Sequence, residues 1–319
     1  MPEINTQITP PRIVVIGSAN ADLVARAQRL PAPGETVTGS HFRMIPGGKS
    51  ANQAVAAARL GAETFFVGRI GADVFGDTLV ASFTHAGVQM EFLTRDTAEP
   101  TGTALIGVSE TTGENYIIVV PGANGKLSKD DIDEAAELIA SADAILLCLE
   151  VPMPAVIAAL TIARAAGVPT ILNPAPAVVL PQSILEKCSI LTPNEHEVGI
   201  LAGISDGTPA QCAWELVKRG VETVIVTLGA DGALAVEKNG AVVDVGAPMV
   251  ERVVDTTAAG DCYTAGLAVA LCEGKKLEHA MKFAATAASI SVTRAGAQSS
   301  LPTREEVDEL LAKLHQASH

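Results

Sequence analysis

Short β-branched runs alternate with longer Ala- and Leu-rich stretches of helical period along most of the 319 residues. No other feature limits the fold as strongly. Arg12–Gly17, Thr64–Gly68, Ala144–Leu149, Pro169–Leu172, Ser189–Leu191 and Thr223–Thr227 have the length and residue types of buried strands. Between them Ser50–Leu60, Asp73–Ala86, Ser128–Ser141, Pro154–Ala166 and Thr208–Arg219 read as helices, with Gly61, Gly87, Gly167 and Gly220 placed to end them. Ser128 with Asp131, and Thr303 with Glu306 before a last helix, have capping-box spacing. Strand–helix–strand repeats close by right-handed crossovers, so the expected class is α/β: a parallel sheet with helices on both faces. Aromatics are only 3% of a chain that is 48% hydrophobic, so its core must be Ala, Val, Ile and Leu, as suits buried parallel strands.

Two segments break the alternation. Glu35–Ile45 and Thr103–Val120 are strand-like with no helix between neighbours, and the second reads as a hairpin turning at Glu110–Glu114. A sheet of that size is not stable alone. It is therefore expected to pack as a lid, or to pair between subunits as a homodimer contact. The organisation expected is one domain over residues 1–319, with a β lid drawn from about 18–24, 35–46 and 92–122.

The formal charge of −14 disfavours nucleic acid and anionic lipid as partners. Any anion site must therefore come from backbone amides and a few placed cations. Cys148, Cys188, Cys212, Cys262 and Cys272 are scattered with no CxxC pair, which points to reduced thiols and a cytoplasmic setting. Met1–Pro11 has no basic-then-apolar export pattern, and no run approaches 18 apolar residues.

Familiar motifs fail on inspection. Gly48-Lys49-Ser50 resembles the end of a P-loop, but Arg43 stands where that motif needs glycine. GxGxxG and GxSxG are absent, and His196-Glu197 lacks the second histidine of a zinc-protease helix, since position 200 is Ile. What remains is Asp255-Thr-Thr-Ala-Ala-Gly-Asp261 running into the apolar stretch Ala265–Leu271. Small residues at a helix start leave amides open to a phosphate. Asp261 in the first turn beside them stands where a base must be to deprotonate an attacking hydroxyl. An Asp cap on a tight turn is the plainer alternative.

With this segment the chain resembles the ribokinase family of carbohydrate kinases. The likeness includes Gly47-Gly48-Lys49-Ser50-Ala51-Asn52-Gln53-Ala54, Asn20-Ala21-Asp22, Thr192-Pro193-Asn194-Glu195 and Thr227-Leu228-Gly229, in order from about residue 12 to 302. PGETVTG, LNPAPA and TRAGAQ carry it toward the members that act on ribose. The resemblance implies transfer of the γ-phosphate of ATP to the primary hydroxyl of D-ribose, with deoxyribose or another small sugar as the alternative acceptor. A sensor without catalysis is a further alternative, one that would not need Asp261.

Carried over by position, Asn20, Asp22, Gly48, Lys49, Asn52 and Glu150 would hold the sugar, with Asp261 as base. The amides of Ala258, Ala259 and Gly260 would form the anion hole. Asn194, Glu197, Thr227, Gly229, Gly232 and Gly260 would serve ATP and magnesium. Asp255, Thr257, Ser291, Arg294, Gly296 and Ser300 would surround an activating potassium ion, several through carbonyls. Read without the resemblance, Glu150 is equally a strand-end charge, Asn52 a first-turn polar residue and Lys49 a solvated cation. The chain departs from the family pattern at GDCYTAG, which sets Cys262 at a helix start where a thiol's pKa can fall. It departs also at Ser50, which replaces a common glycine, and at Ala285, where relatives often carry a polar residue near adenine.

Overall fold

The computed structural model describes residues 9–317, so most of the N-terminal segment read for export signals lies outside the described residues. Among the described residues thirteen strands form two sheets. The large sheet contains β1 (Arg12–Ile16), β4 (Glu63–Gly71), β5 (Gln89–Asp96), β8 (Ala144–Leu147), β9 (Thr170–Leu172), β10 (Ile190–Leu191), β11 (Thr223–Thr227), β12 (Ala233–Glu237) and β13 (Val242–Val245). The small one contains β2 (Asn20–Ala27), β3 (His41–Gly47), β6 (Gly102–Ser109) and β7 (Asn115–Val120).

The large sheet has the order β13-β12-β11-β10-β9-β8-β1-β4-β5. It is parallel from β11 to β5, and β12 and β13 add an antiparallel edge. Alternate side chains of each central strand feed opposite faces, as the two-residue strand period requires. Ile13 and Val15 join one core and Val14 and Ile16 the other. The first face is covered by α1 (Lys49–Arg59), α2 (Val74–Ala86), α9 (Ala259–Cys272) and α10 (Leu277–Ser291), with α11 (Arg304–Ala317) at its rim. The second is covered by α3 (Lys129–Glu134), α4 (Ala136–Ala140), α5 (Met153–Ala166), α6 (Gln182–Leu185), α7 (Glu195–Ala202) and α8 (Pro209–Lys218). This is the expected α/β class.

Small residues bring α9 and α10 together: a Cβ on Gly266 would lie 3.2 Å from the Ala284 Cα. Asp73 caps α2, and capping boxes start α3 at Ser128–Asp131, α7 at Asn194–Glu197 and α8 at Thr208–Gln211.

The small sheet runs β3-β2-β6-β7, with β2 and β6 parallel and the outer pairs antiparallel. The hairpin turns at 110–114 as expected. Three expected boundaries are corrected. The strand expected over 35–45 begins only at His41, because Glu35 binds the Arg29 guanidinium and accepts from Ala32 N, holding the preceding residues in a turn. Residues 92–96 pair with β4 in the large sheet, so the third segment of the small sheet starts at Gly102. The helix expected over 128–141 breaks at Ala135 into α3 and α4.

Candidate active site

The site lies where the C-terminal ends of the parallel strands meet the root of the small sheet, as in other open α/β folds. Two clefts adjoin there and share Lys49. One, of about 440 Å³, is lined by Asn20, Lys49, Asn124, Leu149 and Glu150, with Val119 of β7 as part of its wall. The other, of about 190 Å³, is lined by Lys49, Asn173, Thr192, Asn194, Glu197 and Thr227, and by Ala258–Asp261 at the start of α9.

Asp261 sits in the first turn of α9 at 7% exposure. Its carboxylate accepts from Asn52 Nδ2 at 2.9 Å and Gln53 Nε2 at 3.3 Å, both on the first turns of α1. Burial pushes its pKa up to about 6, against the pull of the Lys49 ammonium and the Asn52 amide. Asp22 is raised to about 7 by burial and by the nearby Glu150 and Asp261 charges. Burial works against the charged form of Lys49, but Asp261 and Glu150 outweigh it and hold its pKa above the ordinary lysine value. Three carboxylates thus surround one ammonium, and two of them titrate near neutrality. Carboxyls raised by burial beside a lysine are typical of acid–base sites.

Glu150 is no free surface charge. Its Oε2 accepts from Ser18 Oγ at 2.5 Å and from Lys49 N at 3.1 Å, tying the end of β8 to the start of α1. Gly48, at φ +89°, makes the turn into α1, and a Cβ there would lie 2.8 Å from Asn20 N. Glycine is required at that position both by conformation and by space.

Ala258, the N-cap of α9, is left-handed at φ +62°, the one non-glycine residue with positive φ among the described residues. An alanine held in that region costs about 1–2 kcal/mol. The start of α9 lines the smaller cleft. Among the described residues the amides of Ala258 and Gly260 have no partner within the chain, whereas Ala259 N donates to Thr256 O at 3.2 Å. The anion hole expected from three amides is therefore open at two of them.

Asn194 and Glu197 stand together through their capping box: Asn194 Oδ1 accepts from His196 N and Glu197 N, and Glu197 Oε2 accepts from Asn194 N. Thr227 lines the same cleft, but Gly229 and Gly232 do not. Those two make the turn between β11 and β12, where a Cβ on Gly232 would lie 2.0 Å from Val245 O.

Asp255 accepts from Thr257 N at 2.9 Å, Thr257 Oγ1 at 2.6 Å and Gly296 N at 2.9 Å. The 255–257 loop is thereby joined to the turn after α10. Burial opposes these bonds, but they prevail and keep the Asp255 pKa below the usual carboxylate range. Ser291 and Ser300 donate their hydroxyls to Ala288 O and Ala297 O, and Arg294 binds Glu306.

Sequence reasoning missed Gln53, Asn124, Asn173 and Thr192. Gln53, Asn173 and Thr192 stand inside GGKSANQA, LNPAPA and TPNE, so the signal was present. Asn173 Nδ2 donates to Thr192 O at 3.0 Å, and the Thr192 and Thr264 hydroxyls lie 3.0 Å apart, which ties the strand ends to α9. The lowered thiol considered at Cys262 is corrected: its side chain is buried, and burial raises its pKa to about 12.

A family model described as pfkB family carbohydrate kinase matches residues 10–304. The chain belongs to this family. It is 41% identical over 302 residues to a ribokinase of Haemophilus influenzae, covering 94% of this chain and 98% of that protein. The structure of Arabidopsis thaliana ribokinase complexed with ribose and ATP matches with a TM-score of 0.89 at 37% identity, over 95% of this chain and 99% of that one. A deoxyribokinase of Salmonella typhi is 36% identical over 305 residues, 94% of this chain and 98% of that protein. Both sheets of this carbohydrate kinase fall within the residues that the family model matches.

Proposed function

We propose that this kinase transfers the γ-phosphate of ATP to the primary hydroxyl of D-ribose, giving ribose 5-phosphate and ADP. The observation that carries the proposal is the buried Asp261 carboxylate, held by Asn52 and Gln53 and lining the smaller of two clefts that share Lys49. The larger cleft takes the sugar, whose hydroxyls meet Asn20, Asp22, Gly48, Lys49, Asn52 and Glu150. The smaller takes the triphosphate, against Asn194, Glu197, Thr227 and the start of α9, with the Gly229–Gly232 turn behind it.

With a pKa of about 6, Asp261 is mostly ionised at neutral pH yet basic enough to accept a proton. It takes the hydroxyl proton as that oxygen bonds to the γ-phosphorus and the bond to the β–γ bridging oxygen breaks, releasing ADP. The open amides of Ala258 and Gly260, with the Lys49 charge, receive the equatorial oxygens of the moving phosphoryl group.

Oxygen donors with a single carboxylate suit magnesium, which keeps much of its coordination for water and phosphate. Asn194 and Glu197 would hold it, and when bound it neutralises charge on the phosphate oxygens. Asp255, Thr257, Ser291, Arg294, Gly296 and Ser300 would surround potassium, with Arg294 and Gly296 offering carbonyls. Equal rates in potassium and in a bulky organic cation would remove that site.

The small sheet, β2, β3, β6 and β7, acts as a lid of a single α/β domain, since Val119 already walls the sugar cleft. Its outer strand β7 exposes Tyr116, Ile117, Ile118, Val119 and Val120. An apolar edge of that kind calls for a partner, and a second copy of the chain fits. Light scattering at the mass of one 32.7 kDa chain would refute the dimer. The five free cysteines, four of them buried, accord with a reducing cytoplasm. Titration of fewer than five thiols in freshly isolated, denatured protein would contradict it.

The deciding experiment is ATP turnover with magnesium across D-ribose, 2-deoxyribose, fructose and no sugar. The highest kcat/KM for ribose is expected. A preference for deoxyribose keeps the mechanism and changes the acceptor, whereas no sugar-dependent turnover refutes the kinase assignment at this site.

A further inference from the structure

Asn124 lies in the short helical turn after β7 and is 1% exposed. Its Oδ1 accepts from Ala19 N at 2.9 Å, and its Nδ2 donates to Ala19 O at 3.2 Å and to Asn20 Oδ1 at 2.7 Å. The two backbone groups of Ala19 fix which way the Asn124 amide points, because a backbone N–H can only donate and a carbonyl can only accept. Nδ2 of Asn124 then fixes the amide of its neighbour in turn: Asn20 must present Oδ1 to Asn124. Among the described residues Asn20 Nδ2 has no partner in the chain, and Asn20 lines the larger cleft.

A second observation comes from the opposite side of the pair. Asn20 stands in register with Gly102 of β6. A Cβ on Gly102 would lie 2.1 Å from Asn124 Nδ2 and 2.4 Å from Asn20 Oδ1. Gly102 has an ordinary φ, so space rather than backbone conformation demands glycine. The paired amides fill the volume that any side chain at 102 would occupy.

We propose that Asn124 is a positioning residue for sugar binding, holding Asn20 so that it offers the substrate a hydrogen-bond donor. Gly102 keeps the space in which the pair forms. The inference rests on the larger cleft being the sugar site. It also joins lid and site directly, since Asn124 follows β7 and Gly102 opens β6: the lid strands must be in place for Asn20 to face its ligand correctly.

The test is a double-mutant cycle on the full-length protein, using whichever sugar the wild type turns over fastest. Asn124→Ala frees the Asn20 amide to rotate, and KM for sugar should rise about 10- to 100-fold, the usual cost of a buried hydrogen-bonding group left mispaired. kcat should hold within about threefold, because neither residue touches Asp261 or the open amides. In an Asn20→Ala background the same change should leave KM unaltered, since there is no amide left to orient. A merely structural Asn124 would raise KM equally in both backgrounds, and that result overturns the proposal. Should Asn124→Ala fail to fold, Gly102→Ala disturbs the pair from the other side and must show the same dependence on Asn20. Wild-type protein that turns over no sugar refutes the sugar site itself. Normal wild-type turnover with an inert Asn124→Ala refutes only the positioning role.

Discussion

Replacing Asp261 by Asn should abolish catalysis and, at neutral pH, stabilise the protein. The activity term follows from removing a general base, about 10²–10⁴ in kcat. The stability term follows from burial. Burial pushes the carboxyl pKa up to about 6 in the folded chain from 3.8 for a free aspartate, a difference of about 3 kcal/mol. A raised carboxyl pKa means that folding disfavours the ionised form. This penalty is absent below about pH 4, grows as pH rises toward 6, and is fully present above that. Asparagine never carries the charge, so its advantage should follow the same course.

The substitution also sets a new donor against Asn52 Nδ2 or Gln53 Nε2. Both of those amides keep a buried carbonyl oxygen, Asn52 Oδ1 and Gln53 Oε1, with no hydrogen-bond partner. Rotating one of them by half a turn restores the pairing, so the variant should fold. Thermal melts at pH 7.5 and pH 4.5, run beside steady-state kinetics, read both effects. A Tm gain of a few degrees at pH 7.5 that shrinks at pH 4.5 is expected. Loss of kcat below tenfold would refute the base assignment. A Tm lowered at pH 7.5 would refute the argument from burial.

Lys49→Met should move the acid limb of the kcat/KM profile to higher pH, because the Lys49 charge lowers the pKa of both Asp261 and Asp22. Rates at pH 6 should then fall by more than rates at pH 8, and a profile lowered in parallel would show that the coupling is absent. Phe66→Ala should cost about 3–5 kcal/mol in chemical denaturation. Phe66 is fully buried, its ring centroid 4.8 Å from that of Phe83 between β4 and α2. A cost below 1 kcal/mol would mean that this part of the core collapses around the gap.

Local rules carried far into this fold. Each of the six expected parallel strands forms, since β-branched runs between helical stretches leave few other arrangements. Gly87 and Gly167 end α2 and α5 in the left-handed conformation, where they stand in the sequence as stop signals. The antiparallel edge of β12 and β13 was not read, because two short strands after a Gly turn look the same whether they join the large sheet or a separate one. The boundary of the small sheet was misjudged at 35–40 for a similar reason. The sequence Glu-Thr-Val-Thr favours a strand locally, but Glu35 pairs with Arg29 and residues 35–40 join neither sheet.

In the site, Asp261 and the small residues before α9 were legible because an anion site at a helix start keeps them next to one another in sequence, whereas Lys49 was legible only through the family resemblance. Gln53 and Asn124 were not, because their roles depend on partners 208 and 104 residues away. The amino-acid order by itself determined the α/β class, the helix ends and the place of Asp261 beside small residues at a helix start, all set by contacts between near neighbours. Only the tertiary structure decided which carboxylates share a cleft, which amides remain open and which way Asn20 points. Burial, pKa and amide orientation depend on what the rest of the chain brings within a few ångströms.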